Sequence, residues 1–247
     1  MIVLREPGII FLKSRKTAGS SMEIALSAFA NEGDIVTPLD AGGRDDKRRE
    51  ELGYAGPRNY GKSFSELLFK PTWRDWKGVF KGKPLQMHHD HSSASRAKFH
   101  LNAEDWQSFS KLSIVRNPWD YMVSSYYWAN RNCERLPNFQ TWCLDNQRLL
   151  NRNYRQYFIG GDLVIDYFLR FEMLVNDLLD IEERFPAIKG VANIFSGINA
   201  KAGVRPATGP SLSEMYDEAK EVDRLIRERC RFEIEKFGYH GPQMELK

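Results

Sequence analysis

A short segment near the start of the chain constrains the fold more than any other feature. The apolar run Ile9–Lys13 predicts a strand, a loop of small, hydroxylated and cationic residues follows it, and Ala18–Ala30 has the pattern of a helix. The first N–H groups of a helix have no partner within the helix, and the helix dipole adds partial positive charge there. A strand, a short loop and a helix N-terminus therefore predict an anion site, to which Lys16 adds a full charge.

The residue order in this loop differs from that of the P-loop in nucleoside-triphosphate hydrolases. That P-loop reads G-x-x-x-x-G-K-[ST]. Here the sequence from Lys16 to Ser21 is K-T-A-G-S-S, in which the lysine precedes the glycine and no glycine opens the loop. The order argues against an ordinary ATPase or GTPase. An alternative for the segment is a plain strand, turn and helix capped by serine or threonine.

A second strand-and-helix segment carries another cationic residue. Leu112–Val115 predicts a buried strand that ends at Arg116, and Pro118 stands where the helix Asn117–Arg131 begins. Ser124 follows about two helical turns later, so that Arg116 and Ser124 can face one pocket. A planar guanidinium binds phosphate oxygens two at a time. The alternative is an arginine in a structural ion pair.

Together the two segments resemble the cofactor motifs of sulfotransferases that use 3′-phosphoadenosine 5′-phosphosulfate (PAPS). The loop resembles the family's 5′-phosphosulfate-binding loop in the form found in carbohydrate O-sulfotransferases, and the second segment resembles its 3′-phosphate-binding segment. Phe168–Leu174 and Ile234–Tyr239 are similar to two later family segments. The resemblance implies that Arg116 and Ser124 bind the 3′-phosphate. It implies that the 5′ end of PAPS is held by Arg15, Lys16, Thr17, Ala18, Gly19, Ser20 and Ser21.

The alternation of strands and helices predicts a mainly parallel sheet with helices on both faces, and ligands then bind beyond the carboxyl ends of the strands. The resemblance implies an α/β fold of a particular kind, a three-layer α/β/α sandwich with a mainly parallel central sheet, similar to P-loop NTPases. We expect one sulfotransferase domain over residues 1–247. Residues 40–82 are expected to be a variable insertion, of which 40–62 is predicted to be a mobile surface segment.

Periodicity and turn residues predict the remaining elements. Further strands are expected at Ile35–Thr37, Pro84–Met87 and Leu163–Phe171. Ala200–Pro210 is expected to be a loop, and Gly238 to end the last helix as a C-cap. The further helices are predicted at Ser63–Phe69, Thr72–Trp76, Ala94–His100, Ala103–Phe109, Phe139–Leu150, Glu172–Arg184 and Ser213–Phe237.

Sulfuryl transfer to an alcohol resembles phosphoryl transfer in what it requires. A cation must meet the charge on the leaving phosphate, and Lys16 is the candidate; Lys13, within the strand, is predicted to be structural. A sulfuryl group carries less charge than a phosphoryl group, so we expect no metal, and 3′,5′-ADP is the expected product. Lys201 and Arg205 lie where the family closes a basic loop over the nucleotide, and the alternative for them is a flexible charged surface loop.

The segment His88-His89-Asp90-His91 holds three of the five histidines. Histidine is the usual general base near neutral pH. The segment resembles the H-x-H of heparan sulfate 2-O-sulfotransferases, which implies that His91 is the base and His89 a second active-site histidine. The alternatives are surface histidines and a metal site, although no further ligands are evident nearby. Glu23, in the helix after the loop, is another candidate base.

Composition narrows the class of protein. A formal net charge of +3 suits an anionic cofactor but is too small to indicate nucleic-acid binding. The sequence has no apolar run of membrane-spanning length and no signal peptide, so we expect a cytoplasmic protein, or one of the Golgi lumen if the chain is a trimmed domain. The three cysteines, Cys133, Cys143 and Cys230, are expected to be buried free thiols.

The expected function is PAPS-dependent transfer of a sulfuryl group to a hydroxyl, with a sugar or glycan as the acceptor by resemblance. Two alternatives stay open. One is a small-molecule kinase on a P-loop-like fold, and the other is a non-catalytic nucleotide-binding paralogue. The oligomeric state is left open.

Overall fold

The protein is described by a computed structural model that covers residues 1–39, 43–61, 86–198 and 209–242. In these ranges the chain is a mixed α/β protein with a central five-stranded sheet in the order β3-β1-β2-β4-β7, and β5 and β6 form a separate two-stranded sheet. The strands are β1 (Ile2–Leu4), β2 (Ile9–Phe11), β3 (Ile35–Val36), β4 (Ser110–Val115), β5 (Phe158–Ile159), β6 (Asp162–Leu163) and β7 (Tyr167–Arg170).

The central sheet is mixed rather than purely parallel. Strands β2, β4 and β7 are parallel neighbours, as predicted, with Phe11 opposite Leu112 and Val115 opposite Arg170. The prediction missed β1, which runs antiparallel to both β2 and β3. The ladder between β2 and β4 continues one residue beyond the strand, because the N–H of Leu12 donates to the carbonyl of Leu112 at 2.9 Å.

Helix residues pack against both faces of β2, which explains its unbroken apolar run. Successive strand residues point to opposite faces. Ile9 and Phe11 belong to a core that includes the helix residues Met22, Ile24, Ala25 and Leu26, whereas Ile10 and Leu12 belong to a second core that includes Ala94 and Ala97. Since both faces are buried, the strand is apolar at every position instead of alternating.

The helices of the described residues include three short 3₁₀ turns, at Gln147–Leu149, Phe171–Met173 and Pro186–Ile188. The α-helices are α1 (Gly19–Ser27), α2 (Arg44–Glu51), α3 (Ala94–His100), α4 (Ala103–Ser108), α5 (Pro118–Ala129), α6 (Phe139–Asp145), α7 (Tyr154–Tyr157), α8 (Leu174–Arg184), α9 (Val191–Ser196), α10 (Leu212–Asp217), α11 (Lys220–Arg229) and α12 (Arg231–Phe237).

The long helix predicted over Ser213–Phe237 is wrong, because the segment is three helices, α10 to α12. The junction residues Ala219 and Cys230 have non-helical backbone angles but are buried, so the hydrophobic pattern continues through both breaks. The predicted end is confirmed: Gly238 follows the last helix with φ of 64°, the left-handed conformation of a C-cap glycine.

Two other predicted elements are divided in the structure. Leu163–Phe171, predicted as one strand, contains the end of β6 and all of β7, and Asp166 between them accepts a hydrogen bond from the Lys111 N–H at 2.7 Å. Phe139–Leu150, predicted as one helix, is α6 followed by the 3₁₀ turn Gln147–Leu149.

The predicted surface segment 40–62 contains the helix α2, which the prediction missed because its sequence has no apolar stripe. A charged contact holds this helix in place, because the fully buried Arg49 pairs with Asp46 at 3.0 Å. Of the predicted strand Pro84–Met87, only Gln86 and Met87 are described, and Gln86 forms an isolated bridge to Gly61 instead of a strand. Most of the remaining insertion and the loop Ala200–Pro210 lie outside the described residues, as do both helices predicted between residues 63 and 76.

The cysteines are free, as expected, but only two of them are buried. Cys143 and Cys230 lie in the core, whereas Cys133 is exposed. Within the described ranges, none of the helices combines the length and the apolar character that crossing a membrane requires.

Candidate functional site

The two predicted phosphate-binding segments meet at one edge of the sheet. Because β2 and β4 are parallel neighbours, the loop after β2 and Arg116 after β4 follow adjacent carboxyl ends. A cleft of about 950 Å³ opens at this edge, near the upper end of the range for small-molecule sites. Every residue from Lys13 to Ser21 lines it, and so do His91, Arg116 and Ser124.

The cleft is strongly cationic. Among the described residues that line it there is no aspartate or glutamate, while Lys13, Arg15, Lys16, Arg116, Arg148 and Arg152 are present. A concave surface lined by charges of one sign concentrates ligands of the opposite sign. The cleft is therefore suited to an anion with more than one charged group.

The loop from Ser14 to Ala18 contains two left-handed backbone positions. Lys16 and Ala18 have φ of 58° and 57°, the left-handed region that residues other than glycine rarely enter. Such positions persist only where the surroundings fix them, and successive turns of this kind direct N–H groups into a common hollow. Helix α1 begins at Gly19 without a side-chain cap. The alternative of a helix capped by serine or threonine is therefore wrong.

Hydroxyl groups inside the loop hold its shape. The Ser14 hydroxyl donates to the carbonyl of Ile114 at 2.5 Å and lies 2.8 Å from the Thr17 hydroxyl. The Thr17 hydroxyl also donates to the Ser14 carbonyl at 3.3 Å. Although Thr17 lines the cleft, its hydroxyl therefore serves the loop itself in this structure.

Gly19 is required because Lys13 passes directly over it. A Cβ at this position would lie 2.6 Å from Cγ of Lys13, far below any normal contact. The Lys13 ammonium is held 2.9 Å from a carboxylate oxygen of Glu23. Lys13 is thus a buried structural residue, as predicted, although its side chain also borders the cleft.

The structure does not bring Glu23, the alternative base, to the cleft. Its carboxylate is fully buried between Lys13 and the amino group of Met1. Burial acts to raise the pKa of Glu23, but these two positive charges outweigh it and hold the pKa below its ordinary value. A buried carboxylate that is paired with Lys13 in this way is a structural group.

Arg116 combines the ion pair that the sequence left as an alternative with a place in the cleft wall. Its Nε donates to Asp120 Oδ2 at 2.7 Å, and its Nη2 lies 2.5 Å from the same oxygen. Nη1 donates to the carbonyl of Lys16 at 2.6 Å, and the ring of Phe171 covers the guanidinium at 3.9 Å. Three of its five N–H groups are thus used, which leaves one on each terminal nitrogen for a ligand.

The two later family-like segments also converge on this motif. Glu172 accepts a hydrogen bond from the N–H of Asn117 at 2.7 Å through one oxygen. Its other oxygen accepts a hydrogen bond from the hydroxyl of Tyr239 at 2.8 Å. One carboxylate therefore ties the segments 168–174 and 234–239 to the start of α5, beside Arg116.

His91 lies in the cleft wall and is oriented by a main-chain carbonyl. Its Nδ1 is 3.1 Å from the carbonyl oxygen of Lys13, and because a carbonyl only accepts, Nδ1 carries the proton. Nε2 is 3.5 Å from a carboxylate oxygen of Asp90. Burial lowers the pKa of His91 to about 4, although Asp90 acts to raise it. The imidazole is therefore neutral at pH 7, with a lone pair on Nε2.

His89 is not brought to the site. The segment turns instead of extending, with the N–H of Ser92 donating to the carbonyl of His89, so alternate histidines do not share a face. The His89 side chain is exposed and hydrogen-bonds to Gln86 at 2.7 Å, away from the cleft lining. His88 is buried beside His100, and burial lowers its pKa to about 3.

The cleft also contains an aromatic side chain and two further arginines, of which sequence reasoning missed the arginines. Trp128 lies in its wall, and the Lys16 ammonium is 4.2 Å from the centre of that ring. Arg148 and Arg152 lie between α6 and α7. The sequence there is rich in arginine and asparagine between two apolar segments, which is the signal that could have indicated them. Lys201 and Arg205 lie outside the described residues.

Within the described part of the chain, no group of three or more histidine, cysteine, aspartate or glutamate side chains is arranged to hold a metal ion. Comparison of the chain with protein-family models, with curated proteins and with solved structures finds no match. The geometry of the cleft and the sequence motifs that form it are therefore the guide to function.

Proposed function

We propose that this protein is a PAPS-dependent O-sulfotransferase that transfers a sulfuryl group to a hydroxyl of a carbohydrate. The observation that carries the proposal is the convergence of three segments on one cationic cleft. An uncapped helix N-terminus with a left-handed loop, an arginine with two remaining donors and a neutral histidine all line it. A donor with anionic groups at two positions fits this distribution of charge.

In this proposal the phosphate loop and Lys16 bind the 5′-phosphosulfate, and Arg116 with Ser124 binds the 3′-phosphate. The acceptor oxygen attacks sulfur in line, and the bond from sulfur to the bridging oxygen of the 5′-phosphate breaks. The electron pair of that bond stays on 3′,5′-ADP, where Lys16 offsets the new charge. Preorganised electrostatic contacts of this kind contribute about 10²–10³ in rate.

His91 is the proposed base, and it takes the acceptor's proton on Nε2. The carbonyl of Lys13 fixes the tautomer that leaves this nitrogen free, and Asp90 would stabilise the imidazolium that forms. Its low pKa keeps the ring unprotonated at neutral pH but also makes it a weak base. We infer that the proton moves late, when the S–O bond to the leaving phosphate is largely broken.

The proposal includes a finer description of the fold. The coverage of both sheet faces and the parallel strands β2, β4 and β7 support a three-layer α/β/α sandwich like that of P-loop NTPases. We also propose that the chain forms one sulfotransferase domain.

Isothermal titration calorimetry tests the proposal directly. We expect 3′,5′-ADP to bind at least tenfold more tightly than 5′-AMP, since only the former has a group for Arg116. Tighter binding of ATP with Mg²⁺ would favour the kinase and contradict the proposal. Transfer of labelled sulfate from PAPS to a panel of glycans then separates an enzyme from a non-catalytic paralogue, which would bind 3′,5′-ADP without turnover.

A further inference from the structure

A single short element touches both halves of the candidate site. Helix α7 and the residue before it, Asn153, lie under the cleft between the phosphate loop and the His91 turn. Asn153 and Gln156 are both buried, so neither is available as a surface contact.

Asn153 holds the phosphate loop by its backbone. Its Oδ1 accepts the N–H of Arg15 at 2.8 Å, and its Nδ2 donates to the carbonyl of the same residue at 3.2 Å. One amide thereby satisfies both main-chain groups of Arg15, as a neighbouring β-strand would. Asn153 itself is not part of the cleft lining, so it cannot act by touching a ligand there.

The position of these two Asn153 hydrogen bonds explains why they matter for the shape of the phosphate loop. Arg15 directly precedes Lys16, whose φ of 58° is unfavourable for a residue other than glycine and needs external support. Asn153 fixes the peptide on one side of Lys16, and Arg116 holds the Lys16 carbonyl on the other. Together they define where the loop N–H groups point.

Gln156 holds the His91 turn, also through hydrogen bonds to the main chain. Its Nε2 donates to the carbonyl of His91 at 3.1 Å and to that of Ser92 at 3.3 Å. Arg155 adds a second donor to the His91 carbonyl at 3.2 Å. The turn that carries the imidazole is therefore fixed to α7 through its main chain.

We propose that Asn153 and Gln156 are positioning residues that set the phosphate loop and His91 in register with each other. Asn153 acts through the backbone of Arg15, and Gln156 acts through the carbonyl of His91. The inference rests on the proposed function for its consequence in catalysis. The assignment of Asn153 to the phosphate loop and of Gln156 to the His91 turn can be tested even if that function is wrong.

The test compares Asn153→Ala with Gln156→Ala in the full chain. For Asn153→Ala we expect an approximately tenfold higher Kd for 3′,5′-ADP and faster amide exchange at residues 16–19, with the NMR titration of His91 unchanged. For Gln156→Ala we expect the wild-type Kd and amide exchange, but a His91 pKa raised by about half a unit or more as water reaches the turn. Each variant is measured where circular dichroism shows it folded.

Exposed residues of the same types provide the controls. Asn151→Ala and Gln107→Ala remove side chains at the surface, and neither is expected to change any of the three measurements. A residue that only stabilises the fold would alter all three together, so equal effects of the two buried variants would overturn the inference. Wild-type exchange at residues 16–19 in Asn153→Ala would also overturn it. Failure of the wild-type protein to bind 3′,5′-ADP would instead contradict the proposed function, and the exchange and titration measurements would still decide the inference.

Discussion

Replacing Gly19 by alanine tests whether Lys13 shapes the phosphate loop. Helix propensity alone predicts a gain, because glycine at the start of α1 is less favourable than alanine by up to about 1 kcal/mol. The structure predicts a loss. The new Cβ would lie 2.6 Å from Cγ of Lys13 and 3.3 Å from the carbonyl oxygen of Ser14.

The size of the loss follows from what can move. Cγ is close to the Lys13 backbone, and the far end of the side chain is anchored 2.9 Å from Glu23, so the chain cannot swing aside without breaking a buried ion pair. Overpacking of this kind costs about 1–3 kcal/mol. After the propensity gain is subtracted, we expect Gly19→Ala to lower the free energy of unfolding by about 1–2 kcal/mol.

Urea denaturation followed by circular dichroism measures this change, and Gly197→Ala is the matched control. A Cβ on Gly197 would meet its nearest neighbour at 3.5 Å, an ordinary contact, and its φ of −79° suits any residue. We expect this control to be neutral or up to about 1 kcal/mol more stable. A Gly19→Ala variant as stable as the control would refute the claim that Lys13 leaves no room.

Three further predictions follow from individual contacts. Burial raises the pKa of Glu233 to about 7, so its contribution to stability is present at low pH and is lost as the pH rises from 4.5 towards 7. Glu233→Gln should remove about 3 kcal/mol of this pH dependence of the free energy of unfolding, measured in urea titrations. An unchanged pH dependence would contradict the shift. Lys16→Met should lower kcat with PAPS by about 10²–10³, and near wild-type turnover would exclude Lys16 as the leaving-group cation. Trp119→Phe removes the N–H donor that lies 2.7 Å from the buried Asp223 carboxylate, and it should lower the free energy of unfolding by about 1–3 kcal/mol in the same assay. An unchanged stability would show that Arg227 alone satisfies that carboxylate.

Those features of the site that have local signals were predictable. Two segments, the loop after β2 and the segment at Arg116, have sequence signals for the end of a strand, a cationic residue and the start of a helix within about ten residues. Their meeting followed from one further rule, that parallel neighbouring strands end at the same edge of a sheet. The structure confirms that Arg116, Ser124 and the loop line one cleft.

The predictions that depended on unseen backbone geometry were wrong. His89 was expected in the active site from the resemblance to an H-x-H segment, but the segment is a turn and the His89 side chain lies outside the cleft lining. Helix α2 was missed because its eight residues include no apolar residue, while a buried arginine orders it. Neither a turn nor a buried ion pair leaves a periodic pattern in the sequence.

A deeper reason lies in how the site is tied together. His91 hydrogen-bonds to the carbonyl of Lys13, and Arg116 hydrogen-bonds to the carbonyl of Lys16, so both side chains are held in part by main-chain carbonyls of the segment after β2. Any residue supplies a carbonyl, and such contacts therefore have no signature in the amino-acid sequence. The side chains that fix the loop in turn, such as Asn153, lie more than a hundred residues away. The segment after β2 thus contacts both the proposed base and the proposed phosphate ligand through its main chain.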